Sequence, residues 1–371
     1  MITPFTSQKF RFWAFISMVL LVFVHGYNLN QGYLQPWTRP DEPMTVTAFV
    51  EYLLANGIFR FRIPMLFIIS GYLFAIHDNK PHRYRLSNRV RTLLYPYLIW
   101  SAFGLLLTFM MELFPYSRNL VSETHMMQID ETRTLLHQYR WYEIVARWLF
   151  FPVSYQLWFI RVLLVYNLIY PAIHWCITHP KARYYFFSFA ILLWISTANL
   201  IFIEGEGLLF FSLGIWMQKS KFDIDSRTKW MQPKYWIIVF ISFSIVKTIL
   251  AFTGKFQAVE LVLLLMHKIV VFSGLISAWY GGNGIVHYYM KKEWFIWLSA
   301  FSFMIYVVHA PIIVYATKAV AIETAQYRLG RILAFITVPS ILVLFSILLG
   351  FILRRYSPSV YSFLTGNRGL Q

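Results

Sequence analysis

The stretch that decides the fold is FRFRIPMLFIISGYLFAIH, residues 59–77. It opens on Arg60 and Arg62, passes Pro64, runs apolar through Ser70 and Gly71, and leaves through His77 into a basic segment. About 20 apolar residues at 1.5 Å each cross a hydrocarbon core, so a run of this kind reads as a membrane-spanning helix. Comparable runs recur at about 10–29, 57–77, 90–113, 154–177, 184–202, 205–218, 234–252, 257–279, 294–317 and 329–353. The pattern predicts an all-α polytopic membrane protein of about ten transmembrane helices. It is expected to form one domain over residues 1–371.

Composition points the same way. The chain is 58% hydrophobic and 13% charged, about half the charge of a soluble domain. Its net charge of +17 would suit a nucleic-acid binder only if the cations lined a soluble face. Many instead sit between apolar runs, where they set orientation and meet anionic lipid headgroups. No nucleic-acid partner is expected. The single cysteine, Cys176, excludes an intrachain disulfide and a thiolate metal cluster; no metal is expected.

The first apolar run follows Lys9 and Arg11 and lacks a small-x-small cleavage pattern after Val24, so it reads as a retained span. Cations at 80–91, 181–183, 219–234, 291–292 and 354–355 fall on one side if the N-terminus is inside. The short loops near Glu204, Glu206 and Lys255 fall on the other. Both termini are therefore expected in the cytoplasm. The polar, aromatic segment 114–155 is expected outside, with a short helix along the membrane surface.

Ionisable residues at bilayer depth are costly and tend to mark function or pair with one another. Lys9 to His25 is sixteen residues, roughly 24 Å of helical rise, which places His25 in the outer half of the first span. Lys292 to His309 is roughly 26 Å, and His77 back to Arg62 roughly 22 Å. Arg161 lies about two turns in from the outer end of its span. Four helices thus bring His25, Arg60 with Arg62, Arg161 and His309 to a similar depth. Arg11 and His25 share a face of the first helix within about 40°. An imidazole so placed can take a proton from a hydroxyl and return it. Arg85, Arg89 and Arg91 cluster at the inner mouth of the third span, where guanidinium forks suit phosphates. Lys247, His267 and Lys268 are also deep, with no partner assignable from sequence. Pro64 and Pro311 are expected to kink their helices, which frees carbonyls.

Four segments together resemble the acyltransferase-3 family of bacterial integral-membrane O-acyltransferases. FRFWAFISMVLLVFVHGYN (10–28) resembles its opening arginine-to-histidine helix. IPMLFIISGYLF (63–74) resembles its F-x-x-S-G-Y/F-L segment, here Phe67, Ser70, Gly71, Tyr72 and Leu73. YQLWFIRVLLVYNLIYP (155–171) resembles its L-W-F helix, and SAFSFMIYVVHAPII (299–313) its S-F-x-x-Y-x-x-H-x-P helix.

The resemblance implies a cytoplasmic acyl-CoA donor, acetyl-CoA foremost or succinyl-CoA. It implies a glycan or lipid-linked saccharide acceptor, and residence in the bacterial cytoplasmic membrane. It makes His25 the essential histidine; the shared depth makes Arg60, Arg62, Arg161 and His309 candidate catalytic residues around it, although Arg60 and Arg62 are not general to the family. Arg11, Arg85, Arg89, Arg91, Ser70 and Trp158 become candidate donor-binding residues. The family's first arginine commonly occupies a slot near Ala14; Arg11 lies one turn further out on the same face. The alternative is a proton-coupled transporter of a small anionic or sugar-like solute, with a non-catalytic scaffold behind it.

Overall fold

A computed structural model describes residues 2–27, 34–129, 133–200, 202–327 and 329–369. The architecture is almost entirely helical. In chain order it comprises α1 (Pro4–His25), α2 (Val46–Tyr52), α3 (Arg62–Ile76), α4 (His82–Arg89), α5 (Tyr95–Glu112), α6 (Pro115–Glu123) and α7 (Trp141–Leu149). It continues with α8 (Trp158–Leu168), α9 (Tyr170–Thr178), α10 (Pro180–Ser196), α11 (Gly205–Lys219), α12 (Pro233–Thr253) and α13 (Val259–Gly281). The last six are α14 (Asn283–Tyr289), α15 (Glu293–Ser299), α16 (Ser302–Val308), α17 (Ile312–Thr324), α18 (Gly330–Tyr356) and α19 (Pro358–Thr365). Two-residue strands, Asn199–Leu200 and Ile203–Glu204, pair antiparallel ahead of α11.

Among the described residues, six stretches are long and apolar enough to cross a membrane, and two bent pairs raise the number to eight. The six are Pro4–His25, Val46–Ile76, His82–Glu112, Pro233–Thr253, Val259–Gly281 and Gly330–Tyr356. The bent pairs are Tyr155–Leu168 with Tyr170–Thr178, at 65°, and Glu293–Val308 with Ile312–Thr324, at 77°. The expected spans 184–202 and 205–218 correspond to α10 and α11, which are 17 and 15 residues long, short of the usual crossing length. Residues 28, 29 and 201 of the expected spans lie outside the described residues. On α18, Ile341 and Leu344 are each 65% exposed, which requires hydrocarbon outside the bundle. The chain is a multi-pass membrane protein.

Local sequence explains the breaks. Thr3 caps α1 by accepting from the Thr6 amide at 3.0 Å, and Pro4 takes the first turn where its missing N–H costs nothing. Before α3 the chain passes through a π turn (Leu53–Gly57) and a 3-10 turn (Ile58–Phe61), so Pro64 also falls in a first helical turn. At the α16–α17 bend Pro311 cannot donate, and carbonyls are left over. Gln156 supplies the donor, its Nε2 reaching Val307 O at 3.2 Å and Ala310 O at 3.0 Å.

Without a hydrophobic force between helices in lipid, close packing must hold the bundle, and small residues permit it. At Gly71 a Cβ would stand 2.0 Å from the Phe211 carbonyl oxygen; at Gly214 it would stand 2.1 Å from that of Ile68. Both contacts join α3 to α11, on which Phe210 and Phe211 are buried. The 114–155 segment forms α6 and α7. Helix α7 is tied to α5 through Tyr97 Oη to Leu149 O (2.9 Å) and Ser101 Oγ to Trp148 O (2.7 Å). It leaves Trp141 and Tyr142 exposed, as suits a helix at the headgroup level.

Candidate active site

A cavity of about 590 Å³ opens at the His25 end of α1. It is walled by the ends of α1, α3, α8, α10 and α11, by α13 and α17, and by the segments between α5 and α8. His25, Arg60, Arg62, Arg161 and Trp158 all line it. His309 does not line it, but its ring meets the His25 ring edge-on with centroids 5.3 Å apart.

His25 closes α1, and its Nδ1 is hydrogen-bonded to Tyr155 Oη while the two rings stack 4.7 Å apart. If Nδ1–H donates to the phenol, Nε2 keeps its lone pair and serves as a base. His309 is fully buried at the Pro311 bend. Its Nδ1 donates to Ile305 O at 2.9 Å, which fixes the tautomer. Its Nε2 is buried without a partner among the described residues. Tyr306, one turn earlier, donates to Gln156 O at 2.6 Å, so the bend and the start of α8 are locked together.

The cations around this pair are held by carbonyls. Arg62 is 4% exposed and donates to Phe59 O at 2.8 Å. Arg60 donates to Leu34 O at 2.7 Å. Arg161 donates to Phe150 O and lies 5.0 Å over the Phe202 ring. None of the three has a carboxylate within 4 Å among the described residues, and the Nε of each is buried without a partner. Carbonyl contacts orient a guanidinium without neutralising it, so the cavity wall stays positive.

Sequence reasoning passed over several residues at this site. Tyr155 figured only as a segment boundary. Glu204 and Glu206 figured only as loop residues, yet both line the cavity, with Glu206 in the first turn of α11 and 3.3 Å from Trp194 Nε1. Burial, followed by the charge of Glu206, pushes the Glu204 carboxyl up to about 8, against the pull of Lys268 and Arg161. The available signal was scarcity: two of only 16 acidic residues stand at the start of an apolar run. His267 and Lys268 on α13 line the cavity as well. Lys268 lies 5.1 Å over the Trp194 ring. Lys247 is fully buried behind them, donating to Asn56 O at 2.6 Å in the π turn and lying 3.5 Å from His267 Nδ1.

The expected donor-binding residues lie elsewhere, apart from Trp158. Ser70 sits on α3 next to the Gly71 crossing and does not line the cavity. Arg11 is anchored at the Lys9 end of α1, donating to Ser299 Oγ at 2.7 Å and Ile296 O at 2.6 Å. Arg85 pairs with Asp78 at 2.6 Å, and Asp78 also receives Tyr170 Oη at 2.7 Å and contacts Lys219. Burial would raise the Asp78 carboxyl, but hydrogen bonds from Lys219 and Tyr170 and the charges of Lys219 and Arg85 hold it below the usual range. Arg89 lies 5.2 Å over the Phe74 ring, and Arg91 is exposed. Beside Arg89, the C-terminal Arg368 donates to Thr92 O at 2.7 Å; burial and the Arg89 charge lower it to about 10. Three arginines at this mouth therefore lack a carboxylate within 4 Å among the described residues, while Arg85 has one.

A multi-pass helical bundle that brings a part-buried histidine together with guanidiniums held by carbonyls has parts a membrane acyltransferase could use. The chain belongs to the acyltransferase-3 family: the family model, described as an acyltransferase domain, matches residues 10–355. No curated protein and no solved structure matches the chain.

Proposed function

We propose that this acyltransferase moves an acetyl or succinyl group from cytoplasmic acyl-CoA to a hydroxyl of a glycan or lipid-linked sugar. It would do so in the bacterial cytoplasmic membrane, with ten passes and both termini inside. The observation that carries the proposal is the His25–Tyr155 pair beside Arg62 in one cavity. In this reading Nε2 of His25 takes the acceptor's hydroxyl proton as its oxygen attacks the thioester carbonyl. Arg62 faces the oxyanion that develops, in a site where low dielectric strengthens the interaction. The C–S bond then breaks, and His25 returns the proton to the departing thiolate of coenzyme A. His309, through its free Nε2, orients the acceptor hydroxyl. Arg89, Arg91 and Arg368 hold the donor's phosphates at the opposite end, with Arg11 as a further cation and Arg85 held by Asp78.

The test is transfer of label from acetyl-CoA by the purified protein in lipid. Label passing to a saccharide, or slow release as free acetate, supports the reading. Solute flux with no turnover or binding of acetyl- or succinyl-CoA refutes it in favour of a proton-coupled transporter.

A further inference from the structure

The cavity holds more positive charge than the acyl transfer needs. The oxyanion carries one negative charge beside His25, and Arg62 lies within its reach. Arg60, Arg147, Arg161 and Lys268 remain among the lining residues, none within 4 Å of a carboxylate among the described residues. Lys318, by contrast, is paired with Glu123 at 3.6 Å. Glu206 is the carboxylate these cations surround, with Lys268, Arg60 and Arg62 all acting on it. Glu204, its carboxyl pushed up by burial, offers a buried Oε2 without a partner among the described residues. Charges removed from water without a counterion are costly, so a lining of this kind suits an anion that arrives with the ligand. Trp37, Trp158 and Trp194 line the same space, and flat aromatic faces suit the C–H faces of a sugar ring. The volume is that of a small-ligand site.

We propose that the acyl acceptor is an acidic saccharide, whose carboxylate or phosphate docks on Lys268 with Arg60 and Arg161 while its hydroxyls meet Glu204 and His25. This rests on the acyltransferase reading only in taking the ligand to be the acceptor; the anion site itself does not depend on acyl transfer. A neutral sugar leaves the three cations unpaired and binds more weakly.

The experiment uses the full chain in lipid nanodiscs without acyl donor. Tryptophan fluorescence is titrated with glucose, glucuronate and glucose 6-phosphate, in the parent protein and in Lys268→Gln and Arg161→Gln. The expected result is at least tenfold tighter binding of one acidic sugar than of glucose, with glucuronate against glucose 6-phosphate telling carboxylate from phosphate. Each variant loses most of that preference while keeping its affinity for glucose. Equal binding of glucose and both acidic sugars overturns the proposal. So does an equal loss for acidic and neutral sugars in both variants with unchanged melting, which marks the cations as structural. Acidic-sugar preference in a protein that transfers no acyl group leaves the anion site standing and removes the acyltransferase reading; transfer to neutral and acidic acceptors at equal KM does the reverse.

Discussion

Replacing Gly71 by alanine puts one methyl group where α3 crosses α11. The added carbon would lie 2.0 Å from the Phe211 carbonyl oxygen and 2.9 Å from its carbon. Both are backbone atoms, so no side chain can swing aside, and ordinary contact requires the helices to part by more than about 1 Å. Overpacking of this kind costs about 1–3 kcal/mol or more. Gly214 makes the reciprocal contact, its Cβ position 2.1 Å from Ile68 O, so Gly214→Ala is expected to cost as much. The two changes strain one interface and are expected to be less than additive in combination. Because α11 carries Glu206 to the cavity, the displacement also lowers activity. Gly284 has nothing within 4 Å of its Cβ position, which makes Gly284→Ala the internal control. The assay is thermal unfolding of the detergent-solubilised protein alongside acyl transfer in lipid. Gly71→Ala melting together with Gly284→Ala, and as active, would refute the packing argument.

The remaining predictions concern the site and its supports. Tyr155→Phe removes the hydrogen bond to His25 Nδ1 and is expected to lower kcat about five- to tenfold, on the order of 1 kcal/mol, with KM for the donor unchanged; an unchanged kcat contradicts the positioning role. Gln156→Leu strands the Val307 and Ala310 carbonyls at the Pro311 bend and is expected to destabilise by about 1–3 kcal/mol, read as a lower melting temperature. Asp78 has a carboxyl held below its ordinary 3.8. Its contribution to stability is therefore complete above that pH and fades as pH falls through the lowered value. Asp78→Asn should melt lower than the parent at pH 7, with the gap closing below pH 4; a gap that stays constant with pH contradicts the linkage.

What was legible in the sequence follows from what is local. The apolar runs marked six single stretches and two bent pairs among the described residues, because crossing a bilayer demands length and composition that a sequence displays directly. Helical rise alone placed His25, Arg60, Arg62 and Arg161 at one level, and they share one cavity. The bend at Pro311 was visible in the proline. The 65° bend between α8 and α9, whose proline Pro171 sits where a first helical turn accepts it, was not singled out. Ser70-Gly71 read as a motif with a role in binding, whereas at Gly71 the backbone contact with α11 accounts for the residue. Glu204, Glu206, Lys268 and Lys247 escaped assignment because a buried charge is explained by its partner. Here the partners come from α3, α10, α12 and α13, which no spacing along the chain connects. Arg85 read as a phosphate ligand until Asp78, seven residues away, occupied it.

The central claim is that His25 is the base of an acyl transfer. Its most direct test is label transfer from acetyl-CoA in lipid by the parent protein and by His25→Ala, with melting measured on both. The account predicts that the variant keeps its fold and loses transfer by at least a hundredfold, in line with the contribution of a general base. A folded His25→Ala protein that transfers label at the parent rate would contradict it.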